Sequence, residues 1–161
     1  MRSRSRPVRP LPFCLALAVA ATLGGCRATV PPAASGAEGG PERTERAREQ
    51  WEAAGPSAYE LTLRRSCFCP PEFRGPFLVT VRGGRVEAVE YEGAPVDAER
   101  APSVEGLFRL LTEAYARDAE RVEVTYDPDL GYPTSLYVDY EAQVADEEVG
   151  YTVSALRPLS E

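Results

Sequence analysis

The strongest constraint on the fold is one amphipathic segment, residues 103–118, which stands between runs of alternating apolar and polar residues. Ser103 precedes its first apolar residue, at the position where a hydroxyl can cap a helix. The apolar side chains recur at helical spacing and share one stripe: Val104, Leu107, Phe108, Leu111, Ala114 and Tyr115. Such a stripe is typical of a helix that packs on a hydrophobic core, and far less of a cofactor site.

Strands are predicted on both sides of this helix, because the flanking residues alternate with a period of two. The predicted strands cover residues 59–66, 77–81, 86–91, 122–126, 136–140 and 149–155. Gly83 and Gly84 form a two-residue hairpin turn, which would pair Val81 with Val86 and Val79 with Ala88. The apolar parity changes at Val89, and this change predicts a β-bulge.

A short helix is predicted at residues 45–54, which include Trp51 and end before Gly55-Pro56. The order is then helix, three strands, helix, three strands, with mostly hairpin connections. We therefore expect an α+β domain with a single, mostly antiparallel sheet of about six strands. One main amphipathic helix would pack on that sheet, beside the short N-terminal helix.

The first 25 residues have the features of a lipoprotein signal peptide. Four arginines precede the apolar residues 11–23, a stretch too short to span a bilayer. Leu23-Gly24-Gly25-Cys26 resembles the lipobox of bacterial lipoproteins, in which the Cys26 thiol receives diacylglycerol before cleavage. Two other interpretations stay open, namely an ordinary signal peptide with an incidental cysteine, or an uncleaved anchor helix.

Residues 26–42 are predicted to be the lipidated N-terminus and a flexible tether, because residues 27–42 are rich in Pro, Ala, Gly and Ser. Such a tether would reach about 20 to 25 Å from the membrane. Residues 43–161 would form a single globular domain. Arg27 stands where an aspartate commonly signals inner-membrane retention, so the outer membrane, facing the periplasm, is the default location in a Gram-negative host.

The composition excludes most catalytic chemistry. The sequence has no histidine, and all 18 basic residues are arginine. This removes histidine-activated nucleophiles, histidine metal ligands, Schiff-base lysines and the lysine of a phosphate loop. Cleavage before Cys26 would remove four arginines and no acid, which lowers the formal net charge from −7 to −11. We therefore expect a domain that is not an enzyme and does not bind nucleic acid.

Two cysteines, Cys67 and Cys69, remain after Cys14 leaves with the signal peptide and Cys26 is lipidated. On an unbroken strand their Cα atoms would lie about 6.6 Å apart, near the upper limit for a disulfide, and a slight bend would close the gap. A structural disulfide is the first interpretation of this pair. A redox-active pair, a Cu(I) site and free thiols stay open.

An acidic, tyrosine-rich segment at residues 126–133 is the most distinctive internal stretch. As a turn, its Asp127 would accept backbone N–H bonds, Pro128 would fix φ, and Gly131 would take a left-handed conformation. As a site, six carboxylates could supply oxygen ligands to calcium: Asp127, Asp129, Asp139, Asp146, Glu147 and Glu148. A carboxylate pair for hydrolysis is a further alternative.

Residues 51–156 resemble an uncharacterised family of bacterial exported proteins, many of them lipoproteins, known as a domain of unknown function of the 6174 type. The residues that carry the resemblance are Tyr59, Cys67-Phe68-Cys69, Val79-Thr80-Val81 with the glycine turn, residues 103–108, Tyr126-Asp127-Pro128, Gly131-Tyr132-Pro133, Asp139 and Asp146-Glu147-Glu148. The resemblance implies one exported domain and brings no activity with it.

These observations predict a membrane-anchored, extracytoplasmic lipoprotein with a non-enzymatic binding or envelope-structural domain. Its partners would be the membrane, through the lipid, and an envelope protein or ligand that the sequence does not identify. No cofactor is expected. The alternatives are calcium binding at the turn that contains Asp127 and Asp129, or a redox or Cu(I) role for Cys67 and Cys69.

Overall fold

A computed structural model describes residues 40–141 and 148–160 of the chain. These residues form two α-helices, seven strands and two short 3₁₀ helices, at Pro71–Phe73 and Ala98–Arg100. In chain order the main elements are α1 (Pro41–Ala54), β1 (Ala58–Ser66), β2 (Phe77–Arg82), β3 (Arg85–Tyr91), β4 (Ala94–Val96), α2 (Val104–Ala116), β5 (Arg121–Tyr126), β6 (Pro133–Asp139) and β7 (Glu148–Pro158).

The strands form one antiparallel sheet in the order β4-β3-β2-β1-β7-β6-β5. Two meanders therefore lie side by side, joined where β1 pairs with β7, and α2 carries the chain from one edge of the sheet to the other. The predicted single antiparallel sheet, accompanied by two helices, is confirmed, and strands make up most of the regular structure. The prediction of about six strands missed β4, because its three residues include Pro95 and show no clear alternation.

The two helices lie together on one face of the sheet, where the core is. Strand residues of one parity are buried on this face, among them Leu61, Leu63, Val79 and Val138. The opposite face carries half-buried or exposed polar residues, such as Thr62 on β1. Because one face of the sheet packs against helices and the other faces solvent, apolar and polar residues alternate along the strands in the sequence.

Helix α2 confirms the amphipathic prediction. The Ser103 hydroxyl accepts a hydrogen bond from the backbone N–H of Gly106 (3.2 Å) and so satisfies one of the free N–H groups of the first turn. The predicted stripe faces the core, and its most deeply buried members are Val104, Leu107, Phe108, Leu111 and Ala114.

Helix α1 begins at Pro41, so the predicted start at residue 45 is wrong, and the helix includes the last two residues of the predicted tether. Pro41 is favourable in a first turn because its missing N–H is not needed there. Thr44 is also buried, and its hydroxyl contacts the hydroxyls of Tyr126 (2.6 Å) and Tyr115 (3.2 Å). Because this turn is polar in composition, its sequence did not indicate that it contributes to the core.

The β2–β3 hairpin turns at Gly83-Gly84, as predicted, and Val81 pairs with Val86. The predicted pairing of Val79 with Ala88 is wrong, because Val79 pairs with Val89. The register shifts between Thr80 and Val81, which leaves Glu87 as the extra residue of a bulge. The bulge was expected from the parity change at Val89, but it lies closer to the turn and places Val86 and Val89 on the same face.

Candidate functional site

A cleft of about 740 Å³ lies between the second half of α1 and the length of α2, at the end of the sheet where β1 begins. We call it the α1–α2 cleft. Its walls combine apolar groups with charged and hydroxyl groups, namely Arg48, Trp51, Glu52, Gly55, Pro56, Ser57, Gly83, Gly84, Glu105, Phe108, Arg109, Thr112, Glu113 and Ala116. A volume of this size matches that of sites for small organic ligands.

Glu105 is the central polar group of the cleft. Its carboxylate accepts one hydrogen bond from Trp51 Nε1 (3.1 Å) and another from the Tyr59 hydroxyl (2.9 Å). Glu105 lies in the first turn of α2, where the helix dipole stabilises a negative charge. The carboxylate is therefore held in one position by its place on α2, by Tyr59 on β1 and by the Trp51 indole on α1.

Tyr59 links this carboxylate to the core. The side chain is fully buried, and its hydroxyl oxygen also accepts a hydrogen bond from the backbone N–H of Val104 (3.0 Å). Burial, and then the charge of Glu105, raises the pKa of Tyr59 far above its ordinary value. The phenol consequently stays protonated and remains a donor to Glu105.

Aromatic contacts complete the floor of the cleft. The Trp51 ring meets Tyr59 edge to face at a centroid distance of 5.3 Å, and Tyr132 at 5.9 Å. Phe108 lines the cleft and stacks on Tyr126 at 6.3 Å. These contacts fix the positions of the Trp51 and Phe108 rings, which line the cleft with the small part of their surface that is exposed.

The two arginines of the cleft differ in their partners. Arg48 is bound by Glu45 and Glu52 on its own helix. Arg109 is exposed, and within residues 40–141 and 148–160 it has neither an ion pair nor a hydrogen bond. The Arg109 guanidinium is therefore available to an anionic group that enters the cleft.

The cleft was not predicted from the sequence. Trp51 and Glu105 are 54 positions apart, and nothing local relates them. The usable signal was the single tryptophan together with an acidic residue in the first turn of the amphipathic helix. A buried indole N–H needs an acceptor, and that requirement alone pointed to a polar contact in the core.

Cys67 and Cys69 form a disulfide, with their Cα atoms 5.3 Å apart. Strand β1 ends at Ser66 and the chain bends through residues 67–69, which shortens the separation expected for an unbroken strand. Between the two cysteines, Phe68 is 86% exposed, and it is the one large apolar side chain exposed to this degree in the described part of the chain.

Backbone and side-chain contacts hold the segment that follows the disulfide. Arg74 Nε donates to the carbonyl of Cys69 (2.8 Å), and the N–H of Arg65 donates to the carbonyl of Arg74 (2.8 Å). Further along, the Arg100 guanidinium lies 3.9 Å from the centre of the Phe73 ring. The segment is therefore a closed loop that returns to the end of β1.

Asp127 accepts backbone N–H hydrogen bonds in a turn, which is the structural role predicted for it from the sequence. One carboxylate oxygen accepts the backbone N–H groups of Asp129 (3.0 Å) and Leu130 (2.8 Å), and Gly131 adopts a φ of +81°. The side chain of Gln50 donates to the carbonyls of Pro128 and Asp129, which ties the turn to α1.

The four proposed calcium ligands that the structure describes, namely Asp127, Asp129, Asp139 and Glu148, do not meet at one point. Asp127 and Asp129 lie at the start of β6, whereas Asp139 pairs with Glu148 at its far end, about 20 Å away for a seven-residue strand. Glu148 instead accepts a hydrogen bond from the Tyr137 hydroxyl (2.6 Å). Within the described ranges no three acidic or cysteine side chains form a potential metal-binding group.

Several predictions concern residues that the structure does not describe. Cys26, the apolar residues 11–23 and most of the predicted tether precede residue 40, and Asp146 and Glu147 fall within residues 142–147. In the part of the chain that is described, no helix is long and apolar enough to cross a membrane.

Comparison with known proteins gives one match. A family model described as a family of unknown function, DUF6174, matches residues 43–158 and so spans α1 to the last residue of β7. No curated protein and no solved structure is significantly similar to the chain. The cleft and the disulfide loop both lie within the matched residues, and the chain belongs to DUF6174.

Proposed function

We propose that this chain is an extracytoplasmic lipoprotein, anchored through lipid on Cys26, whose folded domain is a non-enzymatic module that binds a small ligand in the α1–α2 cleft. The observation that carries the proposal is the cleft itself. About 740 Å³ of concave space is lined by aromatic rings and a carboxylate held by two hydrogen bonds.

The walls of the cleft indicate the chemistry of the ligand. Pro56, Ala116 and the small exposed fractions of Trp51 and Phe108 give the cleft apolar surface for a ring or a short hydrocarbon body. Arg109 offers a guanidinium whose hydrogen bonds are unused among the described residues, and it suits a carboxylate, sulfonate or phosphate group. Because Glu52, Glu105 and Glu113 also line the cleft, the ligand class is a small amphipathic molecule with one anionic group, which pairs with Arg109.

A binding role fits the residues of the cleft better than catalysis does. The oxygens of Glu105 are bound by Trp51 and Tyr59, so this carboxylate is fixed as a positioning group. The raised pKa of Tyr59 keeps its proton in place and makes it a poor base or nucleophile. Both features favour a preformed polar contact for a ligand.

The cleft can be tested with 1-anilinonaphthalene-8-sulfonate, a fluorescent probe with an aromatic body and one sulfonate. We expect saturable binding to the folded full-length chain, weakened about tenfold by Arg109→Gln because one charge-assisted hydrogen bond is lost. Ala116→Phe should also weaken binding by filling the cleft. Arg85→Gln is the matched control, since Arg85 is exposed on β3 and does not line the cleft. Equal affinity in all four proteins contradicts the cleft as the binding site.

The anchor requires a separate test, because Cys26 lies outside the described residues. Metabolic labelling with a clickable fatty acid should label the wild-type chain, and the Cys26→Ala variant should remain unlabelled and leave the membrane fraction. A wild-type chain without label, or a variant that stays in the membrane fraction like wild type, contradicts the lipoprotein assignment and leaves the cleft proposal to its own experiment.

A further inference from the structure

The loop after β1 ends in an exposed aromatic side chain on a short, covalently closed segment. We call residues 67–70 the Cys67 tip. The disulfide between Cys67 and Cys69 brackets Phe68, which is 86% exposed, and two prolines follow. At this exposure the Phe68 side chain has little packing against the described residues, and the closed ring restricts the backbone that carries it.

Three arginines surround the Cys67 tip. Arg64 and Arg65 lie near the end of β1, and the backbone of Arg74 is hydrogen-bonded to that of Arg65. Residues 64–76 contain one acidic residue, Glu72. This concentration of positive charge stands out in a chain with a formal net charge of −7. The domain therefore has a local positive end on an otherwise acidic molecule.

These arginines have unused hydrogen-bonding capacity. Arg64 has neither an ion pair nor a hydrogen bond within the described ranges. Arg65 Nε is buried and lacks a hydrogen-bond partner there, while its guanidinium lies 5.9 Å from the centre of the Tyr151 ring. A buried N–H of a charged group without an acceptor is costly, and it points to an anion that completes the site.

The arginines and the phenylalanine share one surface. A hollow of about 240 Å³ is lined by Arg64, Arg65, Ser66, Cys67, Arg74 and Thr152. A second hollow lies beside Phe68, Cys69 and Pro70, and Arg74 lines it as well. Arg74 therefore lies between an anion in the first hollow and an apolar layer around Phe68.

We infer that the Cys67 tip docks on an anionic lipid surface, with lipid phosphate groups in the arginine-lined hollow and Phe68 inserted at the boundary of the acyl chains. A convex tip with one aromatic ring suits a deformable bilayer, which needs no complementary groove. Anionic headgroups attract the arginines, while the acidic remainder of the domain is repelled and turns away. This inference stands apart from the α1–α2 cleft.

The test places a fluorescent reporter at the tip of the full-length chain. Phe68→Trp is introduced, the protein is added to vesicles of phosphatidylcholine alone or with phosphatidylglycerol, and the wild-type signal of the buried Trp51 is subtracted. We expect a blue shift and quenching by brominated acyl chains in the vesicles with phosphatidylglycerol. Adding Arg64→Gln should lower the docked-to-undocked ratio about fivefold, as the loss of one arginine near such a surface implies. Arg85→Gln should leave that ratio unchanged.

Three outcomes overturn the inference. The reporter stays unshifted in anionic vesicles, it shifts equally in neutral ones, or Arg64→Gln and Arg85→Gln have the same effect. Inorganic phosphate alone, without vesicles, is the remaining arm. If millimolar phosphate raises the melting temperature through Arg64 while vesicles have no effect, the hollow binds a free anion and lipid docking is wrong. Because no cleft residue is altered, failure here is distinct from failure of the cleft proposal.

Discussion

The two ends of strand β1 differ in how well their polar groups are paired within the domain. At its beginning, the Tyr59 hydroxyl is buried, donates to Glu105 and accepts from Val104, and the Trp51 ring packs against it. At its end, about 20 to 25 Å away along the strand, Arg65 Nε is buried without an acceptor and Phe68 projects into solvent.

The contrast separates the residues that stabilise the domain from the residues that are available to bind another molecule. Groups at the Tyr59 end satisfy one another, so their removal should destabilise the fold and deform the cleft. Groups at the Cys67 tip contribute few internal contacts, so their removal should alter surface binding and leave stability nearly unchanged. The following predictions test this division.

The largest expected effect comes from Trp51→Ala. This change removes a buried indole and its hydrogen bond to Glu105, and it should lower the free energy of unfolding by about 3 to 5 kcal/mol. Phe68→Ala at the Cys67 tip should change it by less than about 0.5 kcal/mol. Urea denaturation measures both, and equal losses would remove the distinction between the two ends.

Gly131→Ala should lower the free energy of unfolding by about 2 to 4 kcal/mol, since a Cβ there adds a backbone clash to the strain of a positive φ. That Cβ would lie 2.5 Å from the carbonyl oxygen of Ala47 on α1. Gly93→Ala is the matched control, because Gly93 has a similar φ of +78° and open space around it. Denaturation curves that coincide for the two variants would show that the turn at Gly131 is not closely packed against α1.

Tyr59→Phe should cost about 1 to 3 kcal/mol, because it leaves the buried N–H of Val104 without its acceptor. Tyr137→Phe removes a hydroxyl that donates to Glu148 at the surface, and it should cost less than about 0.5 kcal/mol. Thermal unfolding compares them. A neutral Tyr59→Phe variant would mean that the hydroxyl has no structural role.

The fold should lose stability above pH 10. Burial, and then Glu105, raises the pKa of Tyr59, and burial raises the pKa of Tyr126 to about 12. The unfolded tyrosines ionise near pH 10 while the folded ones stay protonated, so their contribution is complete below pH 10 and declines above it.

The expected slope approaches 1.4 kcal/mol per pH unit for Tyr59, and it is smaller for the partly exposed Tyr126. Denaturation at pH 9, 10 and 11 measures it. Tyr59→Phe should make the decline shallower, and the part that remains comes from the other tyrosines with a raised pKa, such as Tyr126. A stability that is constant to pH 11 is the contrary result.

Replacing both Cys67 and Cys69 with alanine should have a smaller effect than the changes at buried residues described above. The disulfide closes a ring around a single intervening residue, so the entropic stabilisation is about 1.5 kcal/mol or less. Probe binding in the α1–α2 cleft should remain as in wild type. A larger loss, or a weakened cleft, would mean that the two ends are coupled.

The parts of the fold that the sequence predicted are those in which one local pattern decides the structure. The stripe on α2, its Ser103 cap and the Gly83-Gly84 turn were all visible in the sequence, and the structure confirms them. The first turn of α1 was missed, because Thr44 is buried through contacts with Tyr115 and Tyr126, which are far away in the chain.

The same limit explains what was predicted of the sites. The disulfide was predicted because only one residue separates the two cysteines, and the Asp127 turn was predicted from local side-chain chemistry. The α1–α2 cleft depends on Trp51, Tyr59 and Glu105, which meet only when α2 crosses the sheet and α1 lies beside it. No short sequence window contains that geometry.

Hydrogen exchange of the full-length chain, with and without phosphatidylglycerol vesicles, tests the division between the two ends most directly. We predict that the vesicles slow amide exchange in residues 64–74 and leave residues 51–57 and 105–116, around the cleft, at their rates in solution. Protection at the cleft segments, or no protection at residues 64–74, would contradict the account.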